Sequence, residues 1–277
     1  MCSIFDLVST GSTFLSKHSI SNAKKESEWF LAEILKCSLV DLYTKKIHLT
    51  NQNIVKYKSY LSARSSKKPF QYIINKAPFY GYDFFVDERV LIPRPETELF
   101  IHILKKYDSF NRALDIGTGS GCLAITIQLQ NIAEHIDAID SSLNAIQVAE
   151  YNKELFKADR VRLYNERHLD FTNEKKYDLI VCNPPYISIK NITTLEKEVL
   201  YEPLEALTDY SDGFSFYNDL LDSISTILKR NGLLLLEIGS NDQANYLCNR
   251  LSSIGYTYKI SNDLQGCQRV IEARIYK

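Results

Sequence analysis

A strand, a glycine-rich loop, a helix and a second strand follow one another between residues 112 and 140. The first strand leads into Gly117-Thr118-Gly119-Ser120-Gly121, and the second strand ends at Asp140. Glycine allows the backbone to turn sharply and to approach a ligand closely. An acid about 20 positions beyond such a loop can bind ribose hydroxyls. This order predicts a mostly parallel α/β sheet, with a nucleoside-containing cofactor held by residues 117–121 and by Asp140.

The details of the loop indicate which cofactor it binds. Its pattern is Gly-x-Gly-x-Gly, whereas the dinucleotide fingerprint is Gly-x-Gly-x-x-Gly. The carboxylate of Asp115, just before the loop, would repel a pyrophosphate but suits the ammonium group of an amino acid. The sequence therefore favours S-adenosyl-L-methionine over NAD. A purely structural turn is the alternative for an isolated glycine loop, but here the loop, the helix and the distal acid agree.

A second motif, Asn183-Pro184-Pro185-Tyr186, follows an apolar run over residues 177–182 that is typical of a buried parallel strand. Because proline cannot donate to a sheet, the motif is expected just past the carboxyl end of that strand, where α/β proteins bind ligands. The Asn183 side chain and the Pro184 carbonyl offer oxygen acceptors. Pro185 stiffens the backbone, and Tyr186 supplies a ring that can stack on a planar group.

These four residues predict a substrate site for a planar group that carries an NH2, either a primary amide or the exocyclic amine of a base. Asn183 and Pro184 are the candidate catalytic residues, since they would accept hydrogen bonds from the two N–H bonds and leave the nitrogen lone pair directed at an electrophile. Pro185 and Tyr186 complete the predicted substrate site. A strand-terminating turn is the alternative, as it is for any isolated Asn-Pro.

The polar turn after the strand at 161–164 contains the candidates for contact with an adenine ring. His168 or Phe171 would stack on the ring, and Asp170 would accept a hydrogen bond from its amine. For each residue taken alone, an ordinary surface turn explains the sequence equally well.

The chain divides into three predicted parts. Residues 1–75 have the periodicity of short helices, residues 76–108 contain an aromatic hairpin and a linker helix, and residues 109–277 form the α/β domain, which ends in a hairpin. The linker helix is expected to run from Pro95 to about Tyr107. Residues 1–75 carry 11 Lys and Arg against 5 Asp and Glu. This surplus suits an acidic protein or an RNA, although a lysine-rich surface without a partner is the more frequent case.

Composition argues against several other classes of protein. The net charge of −1 gives no overall indication of nucleic-acid binding. The six cysteines and five histidines have no zinc spacing, so we predict no metal site. No apolar run approaches the length of a membrane span, and no basic stretch precedes an apolar one at the N-terminus. We therefore predict a cytoplasmic protein that binds no membrane and has no direct nucleic-acid partner.

With these motifs, the chain from about Pro69 onward resembles the release-factor glutamine methyltransferases, the PrmC or HemK family. The resemblance rests on five segments: Leu91–Glu98 (LIPRPETE), Asp115–Gly121 (DIGTGSG), Asn183–Tyr186 (NPPY), Tyr201–Leu204 (YEPL) and Leu233–Gly239 (LLLLEIG). The first of them is the most specific. The resemblance implies a class I methyltransferase fold, which is Rossmann-like, with a seven-stranded, mostly parallel sheet, an antiparallel C-terminal hairpin and a small N-terminal helical domain.

The resemblance also implies a reaction. A methyl group would pass from S-adenosyl-L-methionine to the side-chain amide nitrogen of the glutamine in the Gly-Gly-Gln motif of class I peptide chain release factors. Residues 117–121, Asp140 and Asn183 would contact the cofactor, with His168 as the aromatic residue at the adenine. Asn183–Tyr186 would bind the glutamine. From the basic surplus of residues 1–75, we predict in addition that this domain docks an acidic face of the release factor.

Three alternatives stay open at this point. The target could be a glutamine of a ribosomal protein, which the motifs separate less sharply from a release factor. It could also be the exocyclic amine of a nucleic-acid base, flipped out and stacked on Tyr186. The acidic balance of residues 76–277 argues against this second target, because contacts to a phosphate backbone need cations. A cofactor-binding module without catalysis is the third alternative, and the complete acceptor motif argues against it.

Overall fold

The computed structural model describes residues 3–171 and 175–275. The chain forms two compact units. The first unit contains the described residues up to Lys76 together with Glu196–Tyr201, and the second contains the described residues of Ala77–Leu195 and those from Glu202 onward. None of the described helices is both long enough and apolar enough to span a membrane.

The first unit is built from short helices. Their bounds are α1 (Ile4–Lys17), α2 (Ala23–Leu35), α3 (Leu39–Thr44), α4 (Asn51–Ser65) and α5 (Phe70–Ile74). The side chains of Ser3, Ser38 and Thr50 cap α1, α3 and α4 by accepting a backbone N–H of the first turn, which satisfies donors that a helix start leaves free. The helices enclose an apolar core that includes Phe30 and Tyr57.

A buried arginine contacts the segment Glu196–Tyr201, which belongs to this helical unit. The Arg64 side chain is 4% exposed and donates to Glu26 at 2.6 Å and to Glu198 at 2.7 Å. Within the segment, Val199–Tyr201 forms a 3-10 helix. The contact between Arg64 and the part-exposed Glu198 therefore links the segment to the helices.

The second unit is a seven-stranded sheet with helices on both faces, preceded by a small hairpin. Its strands are β1 (Ala77–Phe79), β2 (Tyr82–Phe84), β3 (Phe110–Ile116), β4 (Ala133–Asp140), β5 (Val161–Asn165), β6 (Tyr177–Cys182), β7 (Leu228–Glu237), β8 (Thr257–Asn262) and β9 (Gln268–Arg274). Its helices are α6 (Leu99–Leu104), α7 (Cys122–Leu129), α8 (Leu143–Phe156), α9 (Leu204–Leu207), α10 (Ser215–Ile227) and α11 (Asn241–Ser253), with 3-10 helices at Pro95–Glu98 and Ile189–Thr194.

The strand order in the large sheet is β5-β4-β3-β6-β7-β9-β8. Strand β9 is antiparallel to both of its neighbours, and the other neighbouring pairs are parallel. The predicted fold is therefore confirmed, including the antiparallel hairpin at the end. Alternate residues of a central strand enter two apolar layers: Leu179 and Val181 face one, and Ile180 and Cys182 face the other. Such continuous apolar strands are required where helices cover both faces.

The small hairpin is also confirmed, with β1 paired to β2. Tyr80 and Gly81 form its turn with φ of 50° and 81°, and a turn with two positive φ values matches the twist of the paired strands. The linker helix differs from its prediction. It begins as a 3-10 turn over Pro95–Glu98, and its α-helical part ends at Leu104 rather than near Tyr107. The chain leaves the helix there through i→i−3 hydrogen bonds at Lys106 and Tyr107, which tighten the last turn before β3 begins.

This topology brings the predicted motifs to one edge of the sheet. After β3 the chain crosses to β4 on one side, whereas β6 lies on the other side of β3. The carboxyl ends of β3, β4 and β6 therefore flank a topological switch point, which is where open α/β sheets bind ligands. The glycine loop, Asp140 and Asn183 follow or end these three strands.

Candidate active site

A cavity of about 330 Å³ lies at this edge of the sheet. Among its lining residues are six of the predicted site residues: Gly117, Gly119, Asp140, His168, Asn183 and Pro185. A second cavity of about 50 Å³ is lined by Asp115, Thr118 and Ser120 and shares Gly117, Gly119 and Asn183 with the first. The two cavities therefore adjoin.

Three of the predicted site residues line neither cavity. Gly121, with φ of 78°, is the N-cap of α7, and a Cβ there would lie 3.2 Å from the Cβ of Ala149. Pro184 is buried. Tyr186 is held beside the site by contacts with Gly239 and Glu237.

The glycine loop is braced by the acid at the end of β4. One carboxylate oxygen of Asp140 accepts the backbone N–H of Gly119 at 2.9 Å, and the other accepts that of Ser142 at 2.9 Å. Gly119 has φ of 56°, a left-handed conformation that glycine adopts without strain. Burial raises the pKa of Asp140, and the two N–H donors oppose that rise. The loop and the acid thus form one rigid unit.

The smaller cavity is lined by buried polar groups. Asp115 is 2% exposed and accepts a hydrogen bond from the Thr118 hydroxyl at 2.7 Å. Burial raises the pKa of Asp115 to about 7. The hydroxyl of Ser120 is buried and has no hydrogen-bond partner among the described residues. Buried polar groups of this kind are normally satisfied, so this cavity suits a charged or strongly polar ligand group.

Part of the lining of the larger cavity is aromatic. The rings of His168 and Phe216 pack with centroids 4.3 Å apart, and both residues line the cavity. Burial lowers the pKa of His168, so the ring is neutral at pH 7. Its Nε2 is buried with no hydrogen-bond partner in the described part of the chain. A flat heterocycle with polar edges fits such a surface.

The other two candidates for an adenine contact lie elsewhere. Phe171 is buried in the core, where its ring packs against Tyr164 and Tyr177. The Asp170 side chain is 69% exposed and lies 4.0 Å from Arg167. Neither residue lines the cavity. Of the three residues that the sequence left open, His168 alone borders the site.

The acceptor motif lies next to the glycine loop. A Cβ added to Gly117 would lie 3.8 Å from the main-chain oxygen of Asn183. The side-chain Nδ2 of Asn183 donates to the Thr97 hydroxyl at 3.2 Å. No hydrogen bond from another described residue reaches its Oδ1. The amide oxygen of Asn183 is therefore available at a site that also adjoins the loop.

Tyr186 packs into a space that only a glycine leaves open. A Cβ at Gly239 would lie 2.6 Å from two ring carbons of Tyr186, far closer than atoms pack in a protein interior. The Tyr186 hydroxyl contacts Glu237 at 3.4 Å, and its carbonyl accepts a hydrogen bond from Gln243 at 2.9 Å. Burial raises the pKa of the Tyr186 hydroxyl. These contacts with Glu237, Gly239 and Gln243 fix both the ring and the backbone of Tyr186.

Arg94, which the sequence sets between two prolines, anchors the segment that carries Thr97. Its guanidinium donates to Glu202 at 2.6 Å and to the Ile92 carbonyl at 3.1 Å. Glu202 also accepts the backbone N–H of Ile92 at 3.0 Å. The ion pair therefore joins the LIPRPETE segment to the acid of the YEPL segment, which are about a hundred positions apart.

Comparisons with known proteins show which protein family contains this chain. Residues 6–74 match the PrmC N-terminal domain, and residues 95–211 match the methyltransferase small domain. The chain is 38% identical over 235 residues to the release factor glutamine methyltransferase of Bacillus subtilis, with 81% of each chain covered. It is 33% identical over 266 residues to that of Geobacter sulfurreducens, with 95% of this chain and 93% of the relative covered. The chain belongs to the release factor glutamine methyltransferase family.

Family membership confirms the resemblance stated from the motifs. A solved structure of a methyltransferase from Pyrococcus furiosus superposes with a TM-score of 0.54 at 18% identity, covering 81% of this chain and 98% of that chain. This likeness supports the class I methyltransferase fold. The chain is accordingly an S-adenosyl-L-methionine-dependent methyltransferase.

The site of this family member fits the cofactor. Its larger cavity lies within the range of about 300–1,000 Å³ that small-molecule sites occupy. The unpartnered Ser120 hydroxyl and the Asp115 carboxylate suit an amino-acid group, Asp140 suits a ribose, and the His168–Phe216 pair suits an adenine. Within residues 3–171 and 175–275, no group of three His, Cys, Asp or Glu is arranged to hold a metal.

Sequence reasoning missed several residues that shape the site. Thr97 and Glu237 lie within the motifs that carry the family resemblance, but the sequence analysis assigns them no role, and it does not identify Phe216 or Gln243. One of them had a local signal: Glu237 interrupts an apolar strand (LLLLEIG), and a carboxylate in such a run needs a partner. Phe216 had none, because it begins a helix about fifty positions from His168.

Proposed function

We propose that this chain methylates the side-chain amide nitrogen of the glutamine in the Gly-Gly-Gln motif of class I peptide chain release factors. The observation that carries the proposal is the Asn183 amide, whose oxygen is available beside the glycine loop while its nitrogen is bound to Thr97. An oxygen acceptor at this point suits an NH2 group that must be held close to the cofactor.

The cofactor supplies an electrophilic methyl group, which is the difficult part of the chemistry. Asn183 Oδ1 and the Pro184 carbonyl oxygen each accept a hydrogen bond from one of the two N–H groups of the substrate amide. An amide nitrogen is a weak nucleophile because its lone pair is delocalised, and acceptors on both N–H bonds raise its electron density. Holding the nitrogen about 3 Å from the methyl carbon then makes the step effectively unimolecular.

No side chain has to remove a proton before the methyl group is transferred. As the N–C bond forms, the bond between the methyl carbon and the sulfonium sulfur would break, and the N–H bonds become acidic only then. One proton would therefore leave to solvent late in the step. Pro185 and the ring of Tyr186 would flank the planar amide, and the packing of Tyr186 on Gly239 keeps that flank rigid.

Mass spectrometry tests the proposal most directly. Purified enzyme, S-adenosyl-L-methionine and a recombinant class I release factor should give one added methyl group on the Gly-Gly-Gln glutamine. A release factor with that glutamine changed to alanine should stay unmodified. Equal modification of both substrates would contradict the proposal. An unmodified release factor with cofactor binding intact would direct the search to ribosomal proteins, and then to nucleic acids.

We also propose that residues 1–75 dock the release factor through their basic surface. Lys24 and Lys25 are adjacent and exposed on α2. Changing both to Glu should raise KM for the release factor about three- to tenfold and leave kcat unchanged, because surface charge acts mainly on encounter. The effect should shrink at high salt. The matched control is the exposed pair Lys105 and Lys106 of the second unit, and an equal rise in KM there would contradict docking by residues 1–75.

A further inference from the structure

Two hydrogen bonds in series lie behind Asn183 and take no direct part in the proposed reaction. Asn183 Nδ2 donates to Thr97 Oγ1 at 3.2 Å, and Thr97 Oγ1 donates to Glu237 Oε2 at 2.7 Å. Thr97 is 4% exposed and Glu237 is 1% exposed, so both groups are shielded from water. They come from the 3-10 helix Pro95–Glu98 and from the last residue of β7.

The chemistry of these groups fixes the direction of both bonds. A hydroxyl has one proton, and an ionised carboxylate can only accept. When Glu237 is ionised, the proton of Thr97 is therefore committed to it, and Thr97 Oγ1 can only accept from Asn183. Of the two ends of the Asn183 amide, only Nδ2 can donate. The oxygen end must then turn away from Thr97, although the two ends are almost equal in size.

We infer that Glu237, acting through Thr97, selects which end of the Asn183 amide faces the substrate. The inference rests on the proposed function, in which Asn183 Oδ1 accepts a hydrogen bond from the substrate amide. With the amide reversed, the NH2 of Asn183 would meet the NH2 of the substrate, and an acceptor would be replaced by a donor. Thr97 and Glu237 are therefore positioning residues, since neither of them contacts the substrate.

The same carboxylate also reaches the aromatic residue of the motif. Its second oxygen, Oε1, lies 3.4 Å from the Tyr186 hydroxyl. A tyrosine hydroxyl beside an ionised carboxylate donates its proton. Glu237 therefore links the two polar side chains of the acceptor motif, reaching Asn183 through Thr97 and Tyr186 by a direct contact.

The first test removes the Thr97 hydroxyl with little change of shape. Thr97→Val should lower kcat by about tenfold, the value of one buried hydrogen bond. KM for S-adenosyl-L-methionine should stay within about twofold, and Thr97→Ser should restore kcat. Thr126→Val is the matched control, because Thr126 is fully buried and its hydroxyl has no hydrogen-bond partner among the described residues. Unchanged kcat in Thr97→Val, or an equal loss in Thr97→Ser, would overturn the inference.

The second test uses the charge of Glu237. Burial raises the pKa of this carboxyl to about 7. A protonated Glu237 can donate to Thr97, which frees the Thr97 proton to point at Asn183. With cofactor and release factor saturating, kcat should therefore fall as the pH falls through about 7. Glu237→Gln should be low in activity and lose this dependence, whereas Glu272→Gln, at another buried carboxyl on β9, should keep it. A parent profile that is flat near pH 7 would count against the inference.

Other ionisable groups near Glu237 could also affect how kcat depends on pH. Arg269 and the hydrogen bonds from Thr97 and Tyr186 lower the pKa of Glu237, and Glu96 raises it. Among the described residues, the charge of Glu237 also acts on Cys122, Cys182 and Tyr217, and burial raises the pKa of each of these groups far above neutrality. Asp115 titrates in the same range but faces the cofactor site, so saturating cofactor removes its effect on binding.

A third measurement does not depend on the substrate. In the NMR spectrum of the parent, the side-chain NH2 of Asn183, assigned by its loss in Asn183→Ala, should be protected from hydrogen exchange. The protection should drop in Thr97→Val and Glu237→Gln but not in Thr126→Val. If the parent does not methylate release factor yet this pattern holds, the proposed function fails and the positioning role stands. If methylation occurs and the pattern is absent, the positioning role fails.

Discussion

Replacing Asn183 with alanine is expected to lower kcat for release factor methylation by roughly 10²–10³-fold, similar to the loss of one preorganised hydrogen-bonding group in other active sites. The alanine removes the oxygen that accepts a substrate N–H and leaves the nitrogen of the substrate free to rotate away from the methyl group. The Thr97 hydroxyl also loses its donor. Binding of S-adenosyl-L-methionine should change only a few-fold, because the glycine loop and Asp140 are untouched.

Calorimetry for the cofactor and single-turnover kinetics for the methyl group measure these two quantities separately. Asn191→Ala is the matched control, since Asn191 is exposed and lies eight positions further along the chain, and its kcat should equal that of the parent. If Asn183→Ala kept more than about a third of the parent kcat, Asn183 would not be the acceptor, and a structural turn would be the better explanation of the motif.

Replacing Asp140 with asparagine is expected to weaken S-adenosyl-L-methionine binding on the order of a hundredfold. The side chain keeps its shape, but one of its ends becomes an NH2 donor that faces the backbone N–H of Gly119 or of Ser142. Loss of one charge-assisted hydrogen bond and a donor–donor contact cost about 3 kcal/mol together. The proposed contact between Asp140 and the ribose hydroxyls is weakened as well.

Titration of cofactor binding measures this effect, with Asp137→Asn as the control. Asp137 lies on the same strand and is also buried, at 3% exposure, but it pairs with Arg112 and Tyr177 rather than with the loop. Its asparagine variant should lose stability and keep the parent affinity for cofactor. Equal losses of affinity in the two variants would show that any disturbance of β4 weakens cofactor binding. Asp140 would then have no particular role at the ribose.

Much of the fold followed from local pattern. Apolar runs of strand length, separated by helical periodicity, predict a parallel sheet whatever the partners of each strand are. In such a sheet the carboxyl ends of the strands lie at one edge. The approximate position of the glycine loop, Asp140 and Asn183 could therefore be predicted without coordinates, and all three lie at the observed site. The linker helix was less well predicted, because its end depends on how the chain enters β3.

The sheet, its ligand-binding edge and the motif residues could be predicted from local pattern, because each depends on spacing along a short stretch of chain. No local pattern places Thr97 between Asn183 and Glu237, which the folded chain brings together across separations of 86 and 140 positions. The tertiary structure also decided that His168 rather than Phe171 borders the cavity, and that Gly239 leaves room for the ring of Tyr186. The physical reason is that hydrogen bonds and close packing act over a few ångströms, so they depend on which distant segments the fold brings together.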